Sequence, residues 1–195
     1  MGTAQEHRDI RERAIARAIL TITEKFVGDL PVGDIQLERI EPGHWARVHP
    51  AWRLHPDRKA FDIDLNWLHK RNKRRDKVDV SIWCGDELCG MFLAKLSRRR
   101  INFALRFLES NPFPHPLEGY MIPIGLFIAE AFAYEYGVRQ VMVSRPAKSL
   151  VPLYREWGYE LDAADLSREK RKCNTRAKAL TKTMDMQDRV FNEQS

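Results

Sequence analysis

The chain has 195 residues, of which 44% are hydrophobic and 31% are charged, and its formal net charge is +6. That length suits one ordinary domain, and the composition excludes a disordered or fibrous chain. No apolar run approaches the roughly 18 residues that cross a bilayer. The charged N-terminus also lacks an apolar signal segment, so we expect a cytoplasmic protein that does not contact a membrane.

The first predicted element is an amphipathic helix over residues 6–26, in which isoleucines recur at helical spacing. A stretch rich in glycine and proline ends it. We therefore divide the chain into an N-terminal helical segment (1–30), a main domain (31–184) and a tail (185–195). We expect the helix to pack on the domain, and the alternative is a pairing helix in a homodimer.

The following stretch predicts one strand, two helices and three antiparallel strands. Alternation of apolar and polar residues identifies the strands, and turn residues separate them. In chain order these six elements cover residues 35–40, 44–54, 62–73, 78–83, 88–96 and 101–108. In the last of these strands, simple alternation places Phe103, Leu105 and Phe107 on one face.

Three prolines exclude regular structure between residues 111 and 119, and a strongly apolar helix follows. From there the pattern predicts a helix, a strand, a helix and a strand. These elements cover residues 121–136, 139–143, 149–156 and the residues from 159 onward. Residues 175–184 form either a last strand or a loop.

The cysteines are Cys84, Cys89 and Cys173. An odd number argues against a disulfide framework, and no histidine lies at ligand spacing from them. We therefore expect two buried strand thiols at Cys84 and Cys89 and no metal site.

Basic residues are concentrated in three runs, at 70–77, 98–100 and 168–182. Such runs are either a solvated surface or a contact for a polyanion, and DNA or tRNA is the partner that three runs favour. Tryptophans and histidines between residues 44 and 69 are either core residues or platforms on which bases stack. The predicted nucleic-acid-binding residues are Lys73, Arg74, Arg75, Arg98, Arg99 and Arg100.

The order of the predicted elements resembles the GNAT family of N-acetyltransferases. Residues 122–161 carry the resemblance most closely, because a helix there closes with Leu153-Tyr154, followed by Gly158-Tyr159. Members of the family typically have Leu-Tyr-x-x-x-Gly-Phe at this place. The resemblance implies an α/β fold, with a mixed central sheet flanked by helices and an extra N-terminal helix.

The resemblance also implies an acyl-CoA-dependent N-acyltransferase that uses acetyl-CoA or another acyl-CoA. In this fold two parallel strands splay apart, and we expect the open edges at residues 107–109 and 141–144. The residues expected to bind the cofactor are Phe107, Leu108, Gly119, Tyr120, Ser144, Arg145 and Lys148. Tyr154 is the expected acid for the departing thiolate, and its alternative role is a core aromatic. Glu109 is the expected base, and its alternative is a solvated carboxylate at a strand end.

The sequence departs from the family at the loop that binds the cofactor diphosphate. The family usually has Gln/Arg-x-x-Gly-x-Gly/Ala, whereas here only Gly119 remains and Glu118 adds a negative charge. Either Arg145 or Lys148 compensates, or the scaffold has become a non-catalytic module that binds nucleic acid or a protein. For an enzyme, the acceptor stays open among nucleic acid or aminoacyl-tRNA, a small amine and a protein N-terminus.

Overall fold

The computed structural model describes residues 3–48, 50–56, 77–97, 99–172 and 177–185. Its helices are α1 (Ala4–Phe26), α2 (Pro42–Val48), α3 (Ala51–Leu54), α4 (Met121–Glu135), α5 (Val151–Glu156) and α6 (Ala163–Lys170). Its strands are β1 (Ile35–Glu38), β2 (Lys77–Cys84), β3 (Glu87–Leu96), β4 (Asn102–Ser110), β5 (Gln140–Ser144), β6 (Glu160–Leu161) and β7 (Ala179–Thr183).

The described strands form one seven-stranded sheet in the order β1-β2-β3-β4-β5-β7-β6. Neighbours are antiparallel except β4 and β5, which run parallel. A parallel pair needs a crossover connection, and α4 supplies it. The predicted mixed sheet with flanking helices is thus confirmed.

Helices cover both faces of the sheet. On one face lies the main core, in which α4 packs against β3 and β4 and α1 packs along α4. On the other face, Val48 of α2 and Trp52 of α3 pack with Met91 and Leu93 of β3. Trp52 is therefore a core residue and offers no platform for a base.

Helix α1 contacts α4 through small and medium apolar side chains. Ala14 and Ala18 are fully buried, and Ile22 and Phe26 follow them along the same stripe. Alanine lets two helices approach closely, and the apolar stripe excludes water from the contact. The N-terminal helix therefore packs on the main domain.

One predicted helix is not covered by the structure, one segment with two alternatives contains a strand, and one helix was not predicted. The predicted helix at 62–73 lies outside the described residues. Within the segment 175–184, residues Ala179–Thr183 form a strand, β7, rather than a loop. Helix α6 was not predicted, because its sequence is mostly polar and charged. The Asp162 side chain accepts a hydrogen bond from the Asp165 amide and thereby caps the first turn of this helix.

Candidate active site

Strands β4 and β5 separate near their carboxyl ends. They pair only from Asn102 opposite Gln140 to Leu105 opposite Val143. Beyond that point β4 stays bonded to β3 as far as Ser110, while β5 remains paired with β7 through Ser144. The edge of β4 that would face β5 is thus not paired with that strand over residues 106–110, and it is called the open edge below.

The expected open edge of β5 needs a correction. Val141 and Val143 are paired with β4, opposite Phe103 and Leu105, so they are not available to a ligand backbone. On β5 the gap begins only at Ser144.

A β-bulge at Arg106 marks the point of separation. Leu93 of β3 lies opposite Phe107, and the next residue, Ala94, lies opposite Leu105, so Arg106 is the extra residue. A bulge bends a strand and shifts its alternation by one residue. The bulge and the end of the parallel pairing thus fall at the same place.

The bulge also corrects the predicted faces of β4. Phe103 and Leu105 belong to the core under α4, and after the bulge Leu108 returns to that core. A Cβ on Gly125 of α4 would lie 2.7 Å from Leu108 Cδ2, which shows how closely the two approach. Phe107 instead lies opposite Leu93, on the face that α2 and α3 cover.

Glu109 lies on the same face as Phe107, opposite the buried Met91. Glu109 is only 4% exposed, so the expectation of a solvated carboxylate is wrong. Glu109 is therefore a buried carboxylate near the carboxyl end of β4.

The amino end of α4 presents free amides at the same end of the sheet. Within the described residues the N–H groups of Gly119, Met121 and Ile122 have no acceptor, whereas Tyr120 N–H donates to the Leu117 carbonyl. Free amides and the helix dipole together favour an anion. Gly119 has φ +81°, so the conformation of this loop needs glycine.

His115 is a residue that the sequence reasoning missed. It is 8% exposed, and its Nδ1 accepts from the Leu117 amide at 3.2 Å. The proton must then sit on Nε2, which donates to Ser110 Oγ at 3.0 Å. Burial lowers the pKa of His115, while the charges of Glu87 and Glu118 act in the opposite direction. The imidazole fixes the loop before α4 to the end of β4, and no local sequence pattern signals such a contact.

Tyr154 lies on α5 and is 5% exposed. Burial raises its pKa to about 12, so the phenol keeps its proton at neutral pH. Within the part of the chain that the structure describes, its hydroxyl has no hydrogen-bond partner. The ring is therefore a core aromatic with an unused donor.

Helix α5 is held against the first half of α4 by aromatic contacts. The Trp157 ring lies 5.3 Å from Phe127 and 6.2 Å from Phe26. Phe26 in turn contacts Tyr120, at the start of α4, at 5.1 Å. Tyr120 is thus part of this aromatic cluster, and α5 lies at the same end of the molecule as the free amides.

The second half of the motif, Gly158-Tyr159, makes structural contacts. Gly158 follows α5 and has φ +80°, a backbone conformation that glycine tolerates. The Tyr159 hydroxyl donates to Glu130 at 3.0 Å, and Lys182 Nζ donates to the same carboxylate at 2.9 Å. Tyr159, which directly precedes β6, and Lys182 of β7 therefore tie these two strands to α4 through Glu130.

Two exposed cations follow β5 directly. Arg145 has φ +51°, and its amide donates to the Lys178 carbonyl at 2.9 Å. Lys148 opens a short 3₁₀ turn before α5. Since β4 and β5 are parallel, Ser144, Arg145 and the carboxyl end of β4 share one end of the sheet.

The basic residues Arg99 and Arg100 lie at the other end. They occupy the turn before β4, and a strand rises about 3.3 Å per residue, so about 25 Å separates them from Glu109. The other four predicted nucleic-acid contacts, Lys73, Arg74, Arg75 and Arg98, lie outside the described residues.

The described residues hold no cluster of three potential metal ligands and no helix long and apolar enough to cross a membrane. Cys84 and Cys89 are buried thiols, and burial raises the pKa of Cys89 to about 12. Such thiols are poor nucleophiles.

No protein-family model and no curated protein matches the chain significantly. Among solved structures, an acetyltransferase from Thermus thermophilus aligns at 17% identity and a TM-score of 0.52, over 77% of this chain and 97% of that one. N-acetylglutamate synthase from Neisseria gonorrhoeae, complexed with coenzyme A and N-acetyl-glutamate, aligns at 13% identity and a TM-score of 0.56. That alignment covers 77% of this chain but only 35% of the synthase chain.

Naa50 from Arabidopsis thaliana, in complex with the bisubstrate analogue CoA-Ac-MVNAL, aligns at 9% identity and a TM-score of 0.51, over 77% of this chain and 99% of that one. At such low identity a structural likeness establishes the fold. The chain has the GNAT acetyltransferase fold, with helix α1 preceding its first strand.

Proposed function

We propose that the protein is an acyl-CoA-dependent N-acyltransferase that uses acetyl-CoA or a related acyl-CoA. The observation that carries this proposal is the open edge of β4 at residues 106–110, which lies at the same end of the sheet as the free amides of α4. An extended amide-containing chain pairs with a strand edge, and a diphosphate suits the amino end of a helix.

Bound acyl-CoA supplies the activated acyl thioester. The backbone at Phe107 and Leu108 binds the pantetheine amides, and the loop at Gly119 and Tyr120 holds the diphosphate. Ser144 lines the gap, and Arg145 and Lys148 add positive charge at its mouth. This charge offsets Glu118, which is exposed next to the amides.

The acceptor amine approaches from the α2–α3 face. Glu109 accepts the proton that the amine loses, and Tyr154 holds a proton at Oη for the departing sulfur. Phe107 is 36% exposed and Phe113 is 43% exposed, and the Phe113 ring packs edge-on against His55 at 5.0 Å. Exposed aromatic surface of this kind supports an acceptor with an apolar group, whether a small amine or a protein N-terminus.

A nucleic acid or an aminoacyl-tRNA remains the other acceptor class. Arg99 and Arg100 would not hold its reacting amine, because they lie about 25 Å away along β4. A test of acceptors therefore includes small amines, short peptides and aminoacyl-tRNA, with release of free CoA thiol as the readout.

The first experiment is a thermal-unfolding titration with acetyl-CoA. A ligand that binds only the folded state stabilises it by about 2.7 kcal/mol at a concentration one hundred times its Kd. We expect the unfolding temperature to rise steadily up to millimolar acetyl-CoA. No rise at that concentration would overturn the proposal and leave the alternative, a non-catalytic module, which Glu118 beside the amides favours.

The second experiment replaces Tyr154 by Phe. Acetyl-CoA binding should change less than about twofold, while the rate of acyl transfer should fall by about 10² or more, the usual contribution of a general acid. Tyr136→Phe is the matched control, because Tyr136 is also buried but lies at the far end of α4. Equal rates for Tyr154→Phe and wild type would exclude Tyr154 as the acid.

A further inference from the structure

A cavity of about 240 Å³ lies between α5 and α6. Its described lining residues come from the turn before α5, from the two helices, from β6 and from the segment before β7, and none comes from β4 or β5. Tyr154 of α5 belongs to the main core and does not line the cavity. The cavity shares Lys148 with the cofactor site proposed above and is otherwise separate from it.

Part of the lining is aliphatic. Val151 and Pro152 of α5 contribute to it, together with Leu161 of β6 and Ala177. None of the described lining residues is aromatic, so no ring is present on which a nucleobase would stack. Aliphatic walls of this kind favour a ligand with an aliphatic chain, which leaves water when it binds.

Two ion pairs form the polar part of the lining. Arg155 of α5 donates from both terminal nitrogens to the two carboxylate oxygens of Glu169, at 3.1 and 2.7 Å. This pair links α5 to α6, and both of its side chains are partly exposed. In the second pair, which lies within α6, Arg168 Nη1 donates to Asp165 Oδ1 at 2.6 Å.

Arg168 has unused donors beside the cavity. Asp165 is 4% exposed, and its second oxygen, Oδ2, accepts from the Lys178 amide at 2.6 Å. This carboxylate holds Arg168 by Nη1, whereas Nε and Nη2 of Arg168 have no acceptor within the described residues. These two nitrogens form one edge of the guanidinium, and such an edge matches the two oxygens of a carboxylate. The Arg168 side chain is only 30% exposed, so water reaches it poorly.

Charge and volume define the ligand further. Arg168 already shares its charge with Asp165, so a single negative charge suits it better than a dianion. The cavity volume is about eight times the 30 Å³ that a water molecule occupies in the liquid, which leaves room for about eight non-hydrogen atoms. Hexanoate has this size. Lys148 has an interaction of its own, so we assign it no contact with the ligand.

We propose that the cavity between α5 and α6 is a binding site for a small aliphatic carboxylate. The carboxylate accepts from Nε and Nη2 of Arg168, and the chain lies against Val151, Leu161 and Ala177. The site is independent of acyl transfer and adds a second small-molecule site to the fold.

The test measures the Kd of acetate, butyrate and hexanoate by ligand-observed NMR titration. Each methylene that leaves water should strengthen binding about fourfold, which corresponds to about 0.8 kcal/mol. Hexanoate should therefore bind about 15-fold more tightly than butyrate. Equal affinities along this series would overturn the proposal.

The charged group is tested with ligands that have the same chain. Hexanoate should bind at least about tenfold more tightly than 1-hexanol, because the guanidinium makes charge-assisted hydrogen bonds only with the carboxylate. Hexyl phosphate is the dianionic counterpart. Binding of 1-hexanol or hexyl phosphate as tight as that of hexanoate would contradict the assignment of a carboxylate.

The diagnostic variant is Arg168→Gln, for which we expect hexanoate affinity to fall at least about tenfold. Because this change leaves the buried Asp165 without its cation, Arg168→Lys is the second variant. Lysine keeps the ion pair but lacks the two parallel donors, so hexanoate affinity should again fall. The matched control is Lys170→Gln, which removes the same charge at an exposed position on α6 and should change affinity less than about twofold. Equal losses in Arg168→Gln and Lys170→Gln would overturn the site.

The aliphatic part is tested with Ala177→Leu, which fills the cavity and leaves Arg168 in place. Hexanoate should lose most of its advantage over acetate in this variant, and an unchanged advantage would show that the chain binds elsewhere. Saturating acetyl-CoA should change the Kd of hexanoate less than about twofold, because independent sites have no coupling free energy. Displacement of hexanoate by CoA would assign the cavity to the cofactor and overturn the proposal. Hexanoate binding without any acetyl-CoA binding would overturn only the function proposed above.

Discussion

At the scale of single residues, His115 connects the end of β4 to the loop before α4. Its two ring nitrogens have different partners, so only the neutral tautomer with the proton on Nε2 satisfies both. A second proton on Nδ1 would face the Leu117 N–H and break that hydrogen bond. The loop that holds the free amides therefore depends on an uncharged histidine.

This dependence predicts how stability varies with pH. The folded-state pKa of His115 lies below the unfolded value of 6.5, so below that pH the unfolded chain binds a proton that the folded chain does not. The free energy of unfolding should thus be fully developed above pH 6.5 and fall as the pH drops through the folded-state pKa. Urea unfolding of wild type and His115→Asn at about pH 5.5 and about pH 7.5 measures the difference. An equal change in the two proteins would show that His115 contributes nothing to it.

Two tyrosines in the motif show that a raised pKa does not by itself identify an acid. Burial raises the pKa of Tyr154 and of Tyr159, but Tyr159 also donates its proton to Glu130. The Tyr159 hydroxyl is therefore engaged in a structural hydrogen bond. Tyr154 has no such partner within the described residues, which is why the proposed function assigns the acid role to Tyr154 rather than to Tyr159.

At the scale of elements, the bulge in β4 and the loop before α4 build the site together. The bulge turns Phe107 and Glu109 toward α2 and α3 and returns Leu108 to the core beside Gly125. Sequence alternation described β4 correctly up to Arg106 and incorrectly after it. One extra residue in a strand leaves no mark in the pattern of apolar and polar residues.

The backbone conformation of the loop before α4 predicts that two substitutions at Gly119 differ in stability and in acetyl-CoA binding. No atom of the described residues lies within 4 Å of a Cβ built at Gly119, so among them only the φ of +81° opposes a side chain. Gly119→Val should cost about 1–2 kcal/mol of stability and weaken acetyl-CoA binding, because valine rarely adopts this conformation. Gly119→Asn should cost less and bind better than the valine variant, since asparagine tolerates it. Thermal unfolding with and without acetyl-CoA measures both effects, and indistinguishable variants would contradict the assigned backbone conformation.

At the scale of the whole molecule, α1 completes the core beside α4. Its contact face carries buried side chains, and Glu135 of α4 accepts from Arg13 and Arg17 at its edge. Partly exposed ion pairs of this kind contribute little to stability. The buried apolar stripe therefore provides most of the free energy that holds α1 on α4.

Packing of α1 predicts that Ile22→Ala lowers the free energy of unfolding by about 2–4 kcal/mol, because Ile22 is 1% exposed and its removal leaves a cavity. Leu20→Ala is the control on the same helix, since Leu20 is 63% exposed, and it should change stability by no more than about 0.5 kcal/mol. Denaturant unfolding of the two variants checks this. Similar small losses in both would mean that α1 is not an integral part of the folded domain.

The sequence by itself determined the order of most of the described elements, although not α6, because helix and strand periodicity and turn residues act locally. The mixed sheet was an expectation from the resemblance of that order to a known family. The same resemblance made Tyr154, Gly119 and Glu109 candidates, through the motif of residues 153–159 and through their places in the order of the elements. Only the tertiary structure decided which candidates are buried, where β4 leaves β5 and which end of the sheet carries Arg99 and Arg100. These properties depend on register, on a one-residue bulge and on contacts between distant segments such as Ser110 and the loop of His115. Local preferences cannot specify them, since a shift of one residue moves every later side chain to the other face of a sheet.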